Sequence, residues 1–192
     1  MKQMENARVM VKRPLASDIY LMILHAPGIV ESSRTGQFVN LQVPGDGSRI
    51  LRRPISISRI DREAGTMDLV VQVLGGGTRR ICDIDAGECI SIVGPQGNGF
   101  TRFEKADSLW LIGGGVGIAP LLMAAEEYKK QSPGGQLRVF LGYTSREKAY
   151  YDQAFDPYTE EVMIATEDGS LGHRGYATPL MEKALLDGDD PS

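Results

Sequence analysis

The chain has 192 residues, of which 42% are hydrophobic and 24% charged, enough for one large or two small globular domains. A formal net charge of −4 provides no basic stripe for a phosphodiester backbone, so nucleic acid is not an expected partner. Apolar runs such as residues 69–74 are too short to cross a bilayer, and the N-terminus has no apolar export segment, which predicts a cytoplasmic protein without membrane contact.

The first hundred residues show a hydrophobic pattern that repeats every two residues. It is clearest in residues 19–24, 38–43 and 67–73, and glycine and proline interrupt the chain between these runs. Several short strands separated by close turns are typical of an antiparallel barrel. A single helical turn is predicted over residues 78–84, with Thr78 as its N-terminal cap.

Two cysteines and two histidines offer little for metal chemistry. Six residues separate Cys82 from Cys89, a spacing that matches no common zinc or iron–sulfur motif. His25 and His173 are far apart in the sequence and belong to no shared acidic motif. No metal site is therefore predicted, and the chemistry must come from bound cofactors.

The period of the pattern changes after the glycine-rich stretch at residues 94–99, which predicts a domain boundary near residue 100. Beyond it, strands alternate with helices, which favours a doubly wound α/β sheet. The first of these helices places Leu121, Leu122, Ala125 and Tyr128 on one side. The strands are predicted at residues 109–112, 137–141 and 162–166, and the helices at residues 120–130 and 176–186.

The sequence stops at residues 187–192, directly after a helix that should lead to a further parallel strand. A sheet of three strands buries little surface, which favours the interpretation that the chain is a fragment. The alternative is a domain that simply stops on a helix.

Residues 113–120, Gly-Gly-Gly-Val-Gly-Ile-Ala-Pro, follow a predicted strand and open a helix. Backbone N–H groups there can approach a pyrophosphate, and the helix N-terminus supplies partial positive charge. The dinucleotide fingerprint is incomplete, because Pro120 stands where a third glycine is expected. A glycine-rich turn without a ligand is the alternative. Ser145 and Arg146 suit a 2′-phosphate, so the pattern leaves NAD and NADP open.

A second phosphate-binding pattern lies in the strand-rich half, at Arg53-Pro54-Ile55-Ser56. Arg53 can fork onto a phosphate, Pro54 suits an unpaired strand edge, and Ser56 can hydrogen-bond a heterocyclic nitrogen. A solvated strand entry is the alternative. Residues 75–78, Gly-Gly-Gly-Thr, open the predicted helical turn and provide a second anion-binding end.

The order of these motifs resembles the ferredoxin-NADP reductase superfamily. The doubled arginine at residues 52–53, with Thr-Glu-Asp-Gly-Ser at 166–170 and Gly-His-Arg-Gly at 172–175, more closely resembles the electron-transfer subunits of bacterial dihydroorotate dehydrogenases. The resemblance implies a six-stranded antiparallel FAD-binding β-barrel at residues 1–100. It implies a Rossmann-like, NAD-binding α/β domain at residues 101–192.

The resemblance also implies roles for individual residues. Arg53 would bind the FAD pyrophosphate, and Ser56, the one candidate catalytic residue, would lie near flavin N5. The family often has Tyr-Arg where this chain has Val71-Gln72, so an aromatic ring and a charge are lacking there. The other implied cofactor-binding residues are Pro54, Ile55, Val70, Gly77 and Thr78 for FAD, and Gly113, Gly114, Gly115, Val116, Gly117 and Pro120 for the nicotinamide nucleotide.

The partners and the electron path are likewise implied by the resemblance. Electrons from dihydroorotate would pass from FMN in a separate catalytic subunit, through a [2Fe-2S] centre, to FAD and then to NAD in pyrimidine biosynthesis. Family members hold that centre with a C-terminal cysteine cluster, which this sequence does not contain, so the centre is expected only in a longer chain. The alternatives are a stand-alone ferredoxin or flavodoxin reductase and a non-catalytic nucleotide-binding module.

Overall fold

The computed structural model describes residues 3–45, 50–100, 103, 106–159 and 161–187. The chain divides into two compact units, Met1–Phe100 and Thr101–Ser192. The tail at residues 188–192, on which the expectation of a fragment partly rests, lies outside the described residues.

The first unit is a closed barrel of six antiparallel strands in the order β1-β2-β5-β4-β3-β6. Many of its inward side chains alternate along the strands and are fully buried, for example Val39 and Leu41 in β3 and Met67 and Leu69 in β5. Each such side chain stabilises the fold by about 1.5–3 kcal/mol. The strands are β1 Gln3–Ala16, β2 Ile19–His25, β3 Phe38–Leu41, β4 Arg53–Asp61, β5 Thr66–Gln72 and β6 Cys89–Gln96.

Two short helices accompany the barrel, α1 at Pro27–Ser32 and α2 at Gly76–Cys82. The carbonyl groups at the end of α1 need partners, and Arg62 supplies them. Its Nη1 donates to the carbonyl oxygens of Val30 and Glu31 at 2.7 Å, and its Nη2 donates to that of Ser33 at 2.8 Å. Arg62 is therefore a structural residue of the barrel.

The second unit is a parallel sheet in the order β10-β9-β8-β7 with two α-helices. The first of these helices buries Leu121, Leu122, Ala125 and Tyr128, the side that the pattern predicts. Three short 3-10 turns lie at Gly115–Ile118, Arg146–Lys148 and Gln153–Phe155. The main elements are β7 Ser108–Gly114, α3 Ala119–Gln131, β8 Gln136–Tyr143, β9 Val162–Thr166, β10 His173–Arg174 and α4 Ala177–Leu186.

The fourth strand, β10, differs from the three-stranded expectation. It pairs His173 with Ala165 and Arg174 with Thr166. It is only two residues long because Gly175 takes a φ of +125° and α4 begins two residues later. A segment this short has no periodic signal, so the hydrophobic pattern does not reveal it.

Candidate functional site

Arg52 and Arg53 adjoin in sequence but make different contacts. Arg52 Nη1 donates to the Ser91 carbonyl oxygen at 2.8 Å, and its Nη2 donates to Ser91 Oγ at 3.0 Å. Arg53 Nη1 donates to the Leu51 carbonyl oxygen at 2.8 Å. Its Nε and Nη2 lie beside Gly77, 2.8 Å from the point that a Cβ of that residue would occupy. Arg52 thus ties β4 to β6, whereas Arg53 carries its charge to the start of α2.

The N-terminus of α2 adds to this positive region. The helix begins at Gly76 with Gly75 as its N-cap, and both glycines are exposed. The first amides of a helix have no partner within it and favour an anion, as a guanidinium does. A Cβ at Gly75 would have no atom within 4 Å, so open space lies in front of this backbone. These residues fit a diphosphate.

Thr78 shapes the approach to α2, but it does not cap the helix as predicted. The helix begins two residues before Thr78, which makes this residue N3. Its Oγ1 accepts hydrogen bonds from the amides of Leu74 at 3.0 Å and Gly75 at 3.2 Å, and it donates to the Gly75 carbonyl oxygen at 3.1 Å. The hydroxyl therefore holds the preceding loop against the helix. Its one proton is donated to the Gly75 carbonyl oxygen.

The segment 53–56 occupies a special part of β4. It pairs with β3 from Arg53 opposite Leu41 to Ser56 opposite Phe38. The ladder with β5 begins only at Ile57, opposite Leu69, so residues 53–56 are paired on one side. Pro54 has no N–H to leave unpaired there, in agreement with the strand edge that the sequence predicts. Ile55 and Ser56 are half-buried beside this separation of β4 from β5.

The second predicted flavin-contacting stretch, Val70-Val71-Gln72, lies on the other side of the separation. It pairs with β2, and Val71 is fully buried while Val70 is 4% exposed. Gln72 is partly exposed to solvent. The surface that this stretch offers to a ligand is therefore its backbone and Gln72.

In the second unit, residues 113–120 form the predicted strand, glycine-rich loop and helix. A Cβ at Gly113 would lie 2.7 Å from Leu121 Cδ1, so this glycine permits close packing of strand and helix. Gly115 has a φ of +50°, which favours glycine. A Cβ at Gly117 would meet nothing within 4 Å. Since neither packing nor dihedral angle demands glycine at 117, its bare backbone fits the close approach of a ligand.

The exposed part of this loop is Gly114, Gly115, Val116 and Gly117. Pro120 lies in the first turn of α3, where its missing N–H costs no hydrogen bond. The Ala119 amide donates to the Val116 carbonyl oxygen, so the amides at the start of this turn form the electropositive end that fits a pyrophosphate.

The loops that follow β8 and β9 meet at the carboxyl edge of the same sheet. The Arg146 amide donates to Ser170 Oγ at 2.8 Å, and Ser170 Oγ donates to Asp168 Oδ1 at 2.6 Å. Hydrogen bonds from Ser170 hold the pKa of Asp168 below its ordinary value, so this carboxyl stays ionised at neutral pH. The backbone of Arg146, which with Ser145 was predicted to suit a 2′-phosphate, is thus tied to the loop that follows β9.

No sequence pattern singles out Tyr150, which contacts the glycine-rich loop from a distant part of the chain. Its side chain is buried, and its hydroxyl donates to the Gly115 carbonyl oxygen at 2.9 Å. The contact spans 35 positions of sequence, so only the tertiary fold reveals it.

Metal ligands do not cluster in the described parts of the chain. Among those residues no group of three or more His, Cys, Asp or Glu could hold an ion. Cys82 is buried and Cys89 is exposed, and neither forms a disulfide. The same residues include no helix that is both long and apolar enough to span a bilayer.

Known proteins resemble this chain in sequence and in fold. Residues 6–100 match the family described as oxidoreductase FAD-binding domain. The structure of an NADH-dependent reduced ferredoxin-NADP oxidoreductase, solved for its flavin-based electron bifurcation, superposes with a TM-score of 0.80 at 28% identity, covering 94% of this chain and 63% of that one. A ferredoxin reductase of carbazole 1,9a-dioxygenase also superposes with a TM-score of 0.80, at 19% identity, and shows the fold alone.

The curated relatives define the family of this chain more narrowly than the superposed structures do. The electron transfer subunit of dihydroorotate dehydrogenase B (NAD+) from Enterococcus faecalis strain V583 is 38% identical over 99% of this chain and 72% of its own length. The corresponding subunit from Streptococcus mutans is 34% identical over 93% of this chain and 68% of its own length. The chain belongs to the family of electron transfer subunits of dihydroorotate dehydrogenase B, within the ferredoxin reductase superfamily.

Proposed function

We propose that this chain carries electrons between FAD, held by its barrel, and NAD, held by its α/β unit. It serves an FMN-containing catalytic subunit that oxidises dihydroorotate in pyrimidine biosynthesis. The names of the curated relatives support a subunit that works with NAD+ and a catalytic partner. The match of residues 6–100 to an FAD-binding domain supports the flavin. A cytoplasmic location belongs to the same proposal, on the shortness of the apolar runs in the sequence.

The position of Arg53 carries this proposal. Its Nε and Nη2 lie over Gly77 in the first turn of α2, and the Cβ side of the N-cap residue Gly75 is open. A diphosphate would meet a forked cation and a helix N-terminus at once, and both interactions strengthen in the low-dielectric surroundings of a bound cofactor. Arg52 is bound to Ser91 on another strand, whereas the bond of Arg53 to the nearby Leu51 carbonyl oxygen leaves its Nε and Nη2 beside Gly77.

The barrel residues orient the flavin rather than react with it. FAD, when bound, supplies chemistry that accepts electrons singly and passes them on as a hydride. Ser56 would donate or accept a hydrogen bond at flavin N5, beside the separation of β4 from β5. Val70 and Val71 keep water out of the barrel wall there, since both are buried. No side chain has to transfer a proton in this scheme.

The second unit would hold the nicotinamide nucleotide by its pyrophosphate. Gly115 and Gly117 bring backbone amides to the surface, and α3 begins directly behind them. Gly113, Gly114, Val116 and Pro120 complete this turn.

The iron–sulfur centre of the family does not fit the described residues. Cys82 is buried in the barrel unit, Cys89 is exposed on β6, and no third ligand joins them.

FAD retention by an Arg53→Ala variant tests the anchor. We expect the FAD content per purified chain to fall well below that of the unmodified protein. The affinity of the variant for added FAD should be lower by about tenfold or more. Arg34→Ala is the matched control, because Arg34 is an exposed arginine of the same unit whose loss removes the same charge. Full FAD occupancy in Arg53→Ala would contradict phosphate anchoring by this residue.

The electron path is tested on the unmodified chain. NADH should bleach the bound flavin, and the chain should copurify with a larger FMN protein that reduces NAD+ when dihydroorotate is added. Efficient reduction of ferredoxin by the chain alone would favour a stand-alone reductase instead. A colourless chain that takes up no FAD would favour a non-catalytic module.

A further inference from the structure

Tyr150 holds the first residue of the turn that precedes α3. Its hydroxyl donates to the carbonyl oxygen of Gly115 at 2.9 Å. The Ala119 amide donates to the Val116 carbonyl oxygen at the end of the same turn. One buried phenol therefore holds the first residue of the 3-10 turn that leads into α3.

The bond gives the buried Tyr150 hydroxyl an acceptor, but the Gly115 carbonyl oxygen does not depend on it. Gly115 is exposed, so water could hydrate its carbonyl oxygen at little cost. The Tyr150 hydroxyl instead determines where that carbonyl points. Because the amide of the next residue belongs to the same peptide plane, orienting this carbonyl also orients the amide of Val116.

The rest of the chain holds Tyr150 firmly. Tyr143 Oη donates to the Tyr150 carbonyl oxygen at 2.5 Å, and the two rings pack edge to face with centroids 6.1 Å apart. The ring of Tyr151 lies 5.1 Å from that of Tyr150. Burial raises the pKa of Tyr150, and the neighbouring Tyr143 and Tyr151 raise it further, so the hydroxyl keeps its proton throughout the physiological pH range.

The backbone next to Tyr150 is strained. Tyr151 has a φ of +62°, a left-handed conformation that is rare for a bulky aromatic residue and costs free energy. Such strain persists where the surrounding contacts over-determine the conformation. Here those contacts direct the Tyr150 ring toward Gly115, which is part of the loop that the proposed function assigns to the nucleotide.

We propose that Tyr150 is a positioning residue for the nicotinamide nucleotide, because its hydroxyl fixes the Gly115–Ala119 turn in the form that presents bare amides to the pyrophosphate. The inference rests on the proposed function of the second unit. Tyr150 need not touch the nucleotide. Its hydrogen bond orders the loop before the nucleotide arrives, so that the loop loses less conformational entropy on binding.

The test compares Tyr150→Phe with Tyr128→Phe in the full chain loaded with FAD. Tyr128 is an equally buried tyrosine of the same unit, and its hydroxyl donates to the Ala106 carbonyl oxygen at 3.2 Å near the C-terminal half of α3. Both variants lose one hydrogen bond to a backbone carbonyl, but only Tyr150→Phe releases the turn. The readouts are the dissociation constant for NADH, the FAD content, and amide hydrogen exchange in residues 115–119.

For Tyr150→Phe we expect NADH to bind about two- to tenfold more weakly, with FAD content unchanged and faster exchange in the turn. Tyr128→Phe should bind NADH like the unmodified chain. Equal weakening in both variants would show an effect of overall stability and overturn the inference, as would unchanged NADH binding in Tyr150→Phe. If the unmodified chain binds no NADH, the proposed function itself fails, and the inference fails with it.

Tyr143→Phe provides a second variant should Tyr150→Phe not fold. It removes the hydrogen bond that holds the Tyr150 backbone but leaves the Tyr150 hydroxyl in place. We expect a smaller weakening of NADH binding, about twofold, with faster exchange in residues 115–119. Binding and exchange that both equal those of the unmodified chain would overturn the inference.

Discussion

The guanidinium of Arg53 occupies the space that a side chain at Gly77 would need. A Cβ at Gly77 would lie 2.8 Å from both Nε and Nη2 of Arg53, closer than such atoms approach in proteins. Glycine at 77 is therefore a condition for the position of Arg53, and the two residues form one unit at the start of α2.

Gly77→Ala should displace the Arg53 guanidinium and weaken FAD binding by about tenfold, since a charge-assisted contact to the phosphate would be lost. Fluorescence titration of the flavin-free protein with FAD measures this. Gly134→Ala is the matched control, because Gly134 belongs to the second unit and a Cβ there meets nothing within 4 Å. Equal FAD affinity in the two alanine variants would contradict the coupling of Gly77 to Arg53.

Ser56→Ala should slow the reduction of bound flavin by NADH about three- to tenfold, because the hydroxyl would no longer hydrogen-bond the flavin ring. FAD content should stay the same, since Arg53 and α2 are unchanged. Stopped-flow absorbance of the flavin measures the rate. Ser32→Ala, which alters another half-buried serine of the barrel unit, should leave the rate unchanged. A rate in Ser56→Ala equal to that of Ser32→Ala would remove Ser56 from the mechanism.

The two thiols should react very differently with iodoacetamide. Burial, with a contribution from Asp83, raises the pKa of Cys82 to about 11, so this thiol stays protonated and shielded at neutral pH. Cys89 is exposed. We expect one labelled thiol per folded chain, none in Cys89→Ser, and labelling of Cys82 only after unfolding, all measured by mass spectrometry. Equal labelling rates for both thiols in the native protein would contradict the buried position of Cys82.

Asp68→Asn should stabilise the barrel at neutral pH. Burial, aided by Asp61, raises the pKa of Asp68 above its ordinary value of 3.8, against the opposing effect of Arg59 and Arg13. A carboxyl whose pKa is higher in the folded state favours folding below 3.8 and loses that contribution as the pH rises through its folded pKa. Ionised Asp68 thus opposes folding at neutral pH.

Urea unfolding of both proteins across this pH range measures the effect. The midpoint of Asp68→Asn should exceed that of the unmodified chain at neutral pH, and the difference should shrink below pH 3.8. A constant difference at every pH would show that packing, rather than ionisation, accounts for the change.

The barrel could be predicted from the sequence because alternation of apolar and polar residues directly reports one buried face. The same holds for α3, whose buried side follows the helical period. The start of α2 was predicted wrongly, since a threonine near a helix start suggests a cap. The side chain of Thr78 instead reaches back to Leu74 and Gly75, and Gly75, which has no side chain, occupies the cap position.

The contacts within the candidate site could not be predicted in this way. Two neighbouring arginines look alike in sequence, yet only the fold shows that Arg52 is bound to Ser91 while Arg53 reaches Gly77. Tyr150 has no local pattern at all, because its partner lies 35 residues away. The roles of Arg53, Ser56 and the glycine-rich loop in holding cofactors stay predictions until the variants above are measured.

The open space beside Gly117 makes possible a variant that loses nucleotide binding but keeps its fold and its flavin. Since a larger side chain at that position would meet no protein atom near its Cβ, Gly117→Leu should fold and retain its flavin. The new side chain would nevertheless obstruct the pyrophosphate. Such a chain would keep its flavin colour but would not bind the dinucleotide. Reduction of its flavin by a partner could then be measured without onward transfer of the electrons to the nucleotide.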